Sequence, residues 1–136
     1  MINRLNHVSI FVLDQDSAYD FYVNKLGFKV NTDAPMGPDA RWLTVSTPDQ
    51  PDLEITLIRV APGMMFNEET AAAMRDLVRR GTFGFAVFEC VDIYATYVEL
   101  KAKGVEFSIP PSKEFYGIEA LFKDDSGNWF SLGQKE

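Results

Sequence analysis

Two glycines in this chain, Gly27 and Gly104, each close a stretch of helical periodicity and open an extended one, LGFKV in the first case and KGVEF in the second. The step between them is 77 residues, and the same step carries Glu54 in LEITL to Ser131 in WFSL. A displacement that holds at separate landmarks indicates one supersecondary unit used twice, which limits the fold more than any propensity does.

The elements follow from the same reading. His7 to Leu13 is β-branched and aromatic, which predicts a strand, and Asp14 and Asp16 offer N-cap oxygens to a helix with Ala18, Phe21, Tyr22 and Leu26 at helical spacing. Gly27 is free to take the left-handed C-cap conformation, after which Phe28 to Val30 is extended. Arg41 to Ser46 and Leu53 to Val60 read as strands separated by the turn-forming TPDQP. In the second half, Phe83 to Glu89 is a strand, and Asp92 begins a helix that ends at Gly104, with Ala95, Val98 and Leu100 inward. Val105 to Phe107, Ile118 to Phe122 and Trp129 to Leu132 complete the set, the last two joined by the DDSGN turn. Glu68 to Arg80 is an amphipathic connecting helix with Ala71, Met74, Leu77 and Val78 apolar. The expected fold is α+β: two tandem βαβββ modules forming a curved mixed sheet around a pocket, with helices on the outer face. Residues 1–136 make a single domain, with module one at 1–60, a linker helix at 61–81 and module two at 82–136.

Composition narrows the function. The net charge is −7 and the 13 Lys and Arg residues are scattered, so a polyanion such as nucleic acid is not an expected partner. A lone cysteine, Cys90, forms no internal disulfide and is expected to serve as a small hydrophobe. No apolar stretch approaches the roughly 18 residues that span a bilayer. Cytoplasmic localisation and no membrane association are the expectations.

The pieces HVSIFVLDQDSAYDFYVNKLGFKV, LEITL, YATYVELKAKGVEF and DDSGNWFSL, in that order, resemble the vicinal oxygen chelate superfamily. That superfamily groups glyoxalase I, extradiol dioxygenases, fosfomycin-resistance enzymes and bleomycin-resistance proteins. The resemblance implies paired βαβββ modules assembled as homodimers, with four metal-ligand positions on the inner sheet face. His7 and Glu54 match the two positions of module one. Phe85 and Ser131 stand where module two would carry a histidine and a glutamate. Tight binding of Fe, Ni or Zn by imidazole and carboxylate needs at least three protein ligands, and the chain has one histidine in all. No cofactor is expected; a divalent metal stays open but disfavoured, and a metal-dependent glyoxalase or dioxygenase is disfavoured with it.

Strand alternation supplies a reading of the inner face that does not need the family. With His7 inward, Ser9 and Phe11 are inward too, leaving Val8, Ile10 and Val12 for the helices. Glu54 and Thr56 share the inner face of their strand, while Leu53, Ile55 and Leu57 lie beneath the helix. In module two, Phe85, Val87, Trp129 and Ser131 face inward. Trp42 and Glu119 join the candidate contacts, although Glu119 also suits solvent, and Arg41 suits either an anionic substrate or an exposed strand edge. An aromatic cup with few polar groups fits a small, partly planar organic molecule. Ser9, Phe11, Trp42, Thr56, Phe85, Glu119, Trp129 and Ser131 are the expected ligand contacts.

Three functions compete. The first is a binding protein that sequesters an aromatic or heterocyclic compound without chemistry. The second is a metal-independent enzyme, a lyase, isomerase or dioxygenase-like member of the same superfamily, in which Glu54 and His7 act as base and acid on a carbonyl-containing substrate, since a glutamate shielded from water is a competent base beside a carbonyl. The third, a structural or regulatory partner, has no specific sign in the sequence.

Overall fold

The computed structural model describes residues 1–84 and 86–134. The chain forms two compact units, 1–75 and 76–136, so the boundary falls inside the connecting helix. Each unit holds one four-stranded mixed sheet of the βαβββ plan, and the fold is α+β with two tandem modules.

In the first unit, β1 (His7–Val12) leads to Asp14, whose carboxylate caps α1 (Gln15–Tyr19) by accepting the Ser17 amide N–H. The helix continues as a π-helical turn, Asp20–Lys25, and the chain reverses at Gly27 with φ +78°. The remaining strands are β2 (Lys29–Pro35), β3 (Arg41–Ser46) and β4 (Glu54–Arg59). The sheet order is β1-β4-β3-β2, with β1 parallel to β4 and the other pairs antiparallel. Alternation sends Val12, Leu43, Val45, Ile55 and Leu57 into the core with Ala18, Phe21 and Tyr22 of the helical segment.

The connecting helix α2 (Glu68–Arg79) is tied to the first unit at Arg75, whose guanidinium donates to the carbonyls of Leu13 (3.0 Å) and Val60 (2.8 Å). These bonds explain why the unit boundary lies within the helix and not before it. Ala71 and Val78 are its buried residues.

The second unit contains β5 (Val87–Glu89), α3 (Ile93–Ala102), β6 (Glu106–Glu114), β7 (Gly117–Lys123) and β8 (Trp129–Gln134). Its order, β5-β8-β7-β6, repeats that of the first, with β5 parallel to β8. Asp92 caps α3 through the Ala95 amide. Phe122 is the centre of an aromatic core, within 5.6–6.1 Å of the rings of Phe88, Phe107 and Phe130.

Two expectations change here. Of the strand expected over 83–89, Val87–Glu89 is regular, Phe83, Gly84 and Ala86 are not, and Phe85 lies outside the described residues. A Cβ on Gly84 would meet the carbonyl oxygen and indole ring of Trp129, and among the described residues Trp129 N–H donates to Phe83 and Ser131 N–H to Ala86. The inward face of α3 is Ile93, Thr96, Tyr97 and Leu100; Ala95 is exposed and Val98 is 66% exposed. That helix is apolar on both sides, so spacing alone did not select the buried one.

Candidate functional site

The parallel register of β1 and β4 sets His7 opposite Glu54 and Ser9 opposite Thr56, and β3 adds Thr44 opposite Thr56. Side chains on one face of a sheet recur every second residue, so His7, Ser9, Phe11, Trp42, Thr44, Ser46, Glu54 and Thr56 share a face.

At its centre is a hydrogen-bonded chain. The Thr32 amide N–H donates to Thr44 Oγ1 (3.1 Å), and the Thr44 hydroxyl in turn donates to Glu54 Oε1 (2.8 Å). Glu54 Oε2 lies 3.2 Å from His7 Nε2, and His7 Nδ1 lies 2.8 Å from Asn6 Oδ1. Because a backbone donor occupies the Thr44 oxygen, its single proton is directed at Glu54, which leaves Oε2 as the outward oxygen of that carboxylate. Glu54 keeps 28% of its side chain exposed, so it is shielded from water only in part. The Trp42 ring centroid is 6.4 Å from that of His7, and Phe11 meets Phe66 edge-on at 5.8 Å. Ser9 is exposed and Thr56 buried on the same face.

Thr44, Ser46 and Asn31 were not among the sequence-derived candidates. Asn31 donates to Ser46 Oγ (2.7 Å), and Ser46 donates to the Leu53 carbonyl. The available signal was the phase of β3, since Thr44 and Ser46 follow Trp42 at steps of two. Arg41 is a clamp: it grips Asp33 with two nitrogens and Asp16 with a third, and stacks over Tyr19. These hydrogen bonds hold the Asp33 carboxyl below the ordinary aspartate value and raise the Arg41 guanidinium above its own.

In the second unit, β7 and β8 bring Glu119 and Ser131 to one face along with Leu121 and Trp129. Ser131 Oγ donates to Glu119 Oε2 (2.7 Å), and the Tyr116 phenol donates to Glu119 Oε1 (2.8 Å). That hydrogen bond stabilises the protonated phenol and raises the Tyr116 pKa. Glu119, open between cavity and solvent in the sequence, is half-buried and doubly bonded. The residue opposite Ser131 is Val87, as His7 is opposite Glu54; Phe85 lies outside the described residues. Cys90 is half-buried with its sulfur 3.7 Å from the Gly133 carbonyl, and burial pushes its thiol up.

The metal implied by the resemblance is not matched by these donors. In the first unit one imidazole and one carboxylate point at each other, and in the second a hydroxyl takes the place of a ligand carboxylate and is itself bonded to Glu119. Among the described residues, no group of three or more His, Cys, Asp and Glu side chains gathers to hold an ion. No described helix is long and apolar enough to cross a membrane.

Comparison with known proteins places this geometry in context. Residues 4–132 match the model of the Glyoxalase/Bleomycin resistance protein/Dioxygenase superfamily. The chain is 36% identical to the uncharacterized protein YetH of Bacillus subtilis (strain 168) over 132 residues, covering 97% of this chain and 98% of that one. Among solved structures it is similar to UcmS2, at 49% identity and TM-score 0.92 over 98% of both chains. It is also similar to TnmS3, an antibiotic binding protein from Streptomyces sp. CB03234, at 28% identity and TM-score 0.76 over 99% of this chain and 98% of that one.

Proposed function

The chain belongs to the glyoxalase/bleomycin resistance protein/dioxygenase superfamily, and from that premise we propose that it binds a small aromatic organic molecule, of antibiotic type, without metal. The observation that carries this reading is the composition of the sheet face that holds His7 and Glu54. Trp42, Phe11 and the His7 ring supply flat aromatic surface, while Glu54, part-exposed and held in place by the buried Thr44 hydroxyl, supplies a fixed hydrogen-bonding oxygen. Two metal-type donors directed at each other suit orientation of a ligand better than coordination of an ion. The likeness to an antibiotic binding protein supports the same class of ligand.

Thermal-shift titration with a panel of aromatic antibiotics tests the proposal. At 100 times its dissociation constant, a ligand adds about 2.7 kcal/mol to folding stability, and a chelator should leave that gain unchanged. A panel in which only divalent metal raises the melting temperature would overturn the reading.

A second reading, proton transfer on a carbonyl substrate, is favoured by the 3.2 Å approach of His7 Nε2 to Glu54 Oε2. Glu54→Gln keeps the shape and removes the base. Turnover that this substitution abolishes while binding persists would select the enzyme. The protein is proposed to be a homodimer in both readings, which sedimentation at micromolar concentration checks against the 15.4 kDa of one chain.

A further inference from the structure

The second unit carries a carboxylate of its own on an open sheet face, and one of its partners is a side chain that a ligand can imitate. Glu119 accepts two hydroxyl protons, one from Ser131 at Oε2 and one from Tyr116 at Oε1. The two donors are held very differently. Ser131 is buried in β8, where its position is set by the ladder with Leu121 and Val87. Tyr116 sits at the tip of the β6–β7 hairpin, 55% exposed, next to a fully solvated Phe115. Exposed apolar side chains share this face, Val87 at 75% opposite Ser131, Ile109 opposite Leu121, and Trp129, while Ser112 and Gly133 stand opposite Glu119 itself and Lys123 opposite Trp129. Such uncovered apolar surface beside a fixed carboxylate is what a flat ligand with one hydrogen-bond donor would cover.

We propose that Glu119, with Ser131 and Trp129, is an anchoring subsite for a phenolic ring, and that the Tyr116 phenol occupies it until such a ring displaces it. The proposal deepens the small-molecule reading and rests on it. Its chemical class comes from the occupant itself, because a carboxylate oxygen 2.8 Å from a tyrosine O–H has a geometry that accepts a phenol. Ser131 keeps Oε2 engaged during the exchange, so the carboxylate does not turn away when Tyr116 leaves. Tyr116 therefore competes with the ligand, and its removal has the opposite sign from removal of the carboxylate.

β-Naphthol and its methyl ether, the same ring system with the phenolic donor present or capped, are suitable probes by calorimetric titration. Wild type is expected to prefer the naphthol. Glu119→Gln should weaken the naphthol about ten-fold or more, the scale of a hydrogen bond to a charged group, and leave the ether unchanged. Tyr116→Phe, a substitution at an exposed hairpin tip that does not threaten folding, should tighten the naphthol several-fold. A Tyr116→Phe protein that binds the naphthol no better than wild type overturns the proposal even if Glu119→Gln fails to fold. Binding of both probes with no preference in wild type overturns it as well, and leaves the small-molecule reading standing. Failure of wild type to bind either probe overturns the proposal too, while the small-molecule reading is decided by the antibiotic panel.

Discussion

The two units solve the same problem with their side chains exchanged. In the first, the carboxylate stands on the closing strand at Glu54 and the hydroxyl on its neighbour at Thr44; in the second, the hydroxyl stands on the closing strand at Ser131 and the carboxylate on its neighbour at Glu119. Register makes the positions equivalent. Thr44 pairs with Thr56 and Glu119 pairs with Gly133, and the step from 56 to 133 is the same 77 residues that separates Glu54 from Ser131. A repeat can thus keep a hydrogen bond while transposing its donor and acceptor. The outcome differs in availability: Glu54 turns one oxygen toward His7, whereas both oxygens of Glu119 accept hydroxyls of its own unit. The cores differ in parallel, since the first is mainly aliphatic and the second gathers four phenylalanines.

The largest test of this contrast is in the cores. Phe122→Ala should cost about 3–5 kcal/mol, because it removes the ring at the centre of the second unit's cluster. Leu57→Ala in the first unit should cost about 2–5 kcal/mol, set by how well its aliphatic neighbours close the gap. Urea unfolding compares them, and equal small losses near 1 kcal/mol would show that neither core is packed as described. Gly84→Ala comes next, at about 1–3 kcal/mol, since Trp129 must move to admit a methyl group. A neutral Gly84→Ala would remove the explanation given for the late start of β5.

Smaller effects probe the exchanged pairs. Thr44→Val should cost about 1–3 kcal/mol because it strands both the Thr32 amide and one Glu54 oxygen, while Thr44→Ser should restore most of it. Ser131→Ala should cost less, near 1 kcal/mol, because Tyr116 still donates to Glu119. The reverse ranking would contradict the claim that Glu54 relies on a single hydroxyl.

The smallest effects separate the units by pH. Asp33 of the first unit has its pKa lowered by Arg41, so its contribution is present above the ordinary aspartate value of about 3.9 and fades as pH falls through the lower folded value. Its partial exposure limits that contribution to under about 1 kcal/mol. Tyr116 of the second unit is shifted upward, so its contribution is present below the ordinary tyrosine value of about 10 and fades as pH rises through the higher folded value. Asp33→Asn should flatten the acid limb of a stability profile, and Tyr116→Phe should remove a phase of tyrosinate absorbance that lies above the ordinary tyrosine value. Loss of absorbance at the ordinary tyrosine value in Tyr116→Phe, and not above it, would mean that the phenol does not donate to Glu119.

Much of the fold was readable because it rests on local signals. Asp14 and Asp92 cap helices, Gly27 and Gly104 turn the chain with positive φ, and the alternation of β1 and β4 places His7, Ser9, Glu54 and Thr56 on one face. What escaped depends on contacts between strands. The late start of β5 follows from Gly84 lying against Trp129, a meeting that no local pattern encodes. The counterpart of His7 is a matter of register, which sets Val87 opposite Ser131, and register is fixed by the whole ladder. Glu119 was a sequence candidate, but its bond to Ser131 was hidden because a constant displacement along the chain carries Glu54 to Ser131 and never looks across to the neighbouring strand.

The π-helical turn at Asp20–Lys25 has a consequence for how such a chain tolerates changes in length. From cap to reversing glycine the first unit runs from Asp14 to Gly27 and the second from Asp92 to Gly104, so the first segment is longer by a single residue. The surplus is taken up where Leu26 N–H reaches back to the Phe21 carbonyl, five residues away, in a ring wider than that of an α-helix. An insertion in a strand would invert every side chain beyond it. Here the helical segment works as an expansion joint: it absorbs the added residue as a local bulge, and the phase that sets Glu54 beside His7 passes through undisturbed.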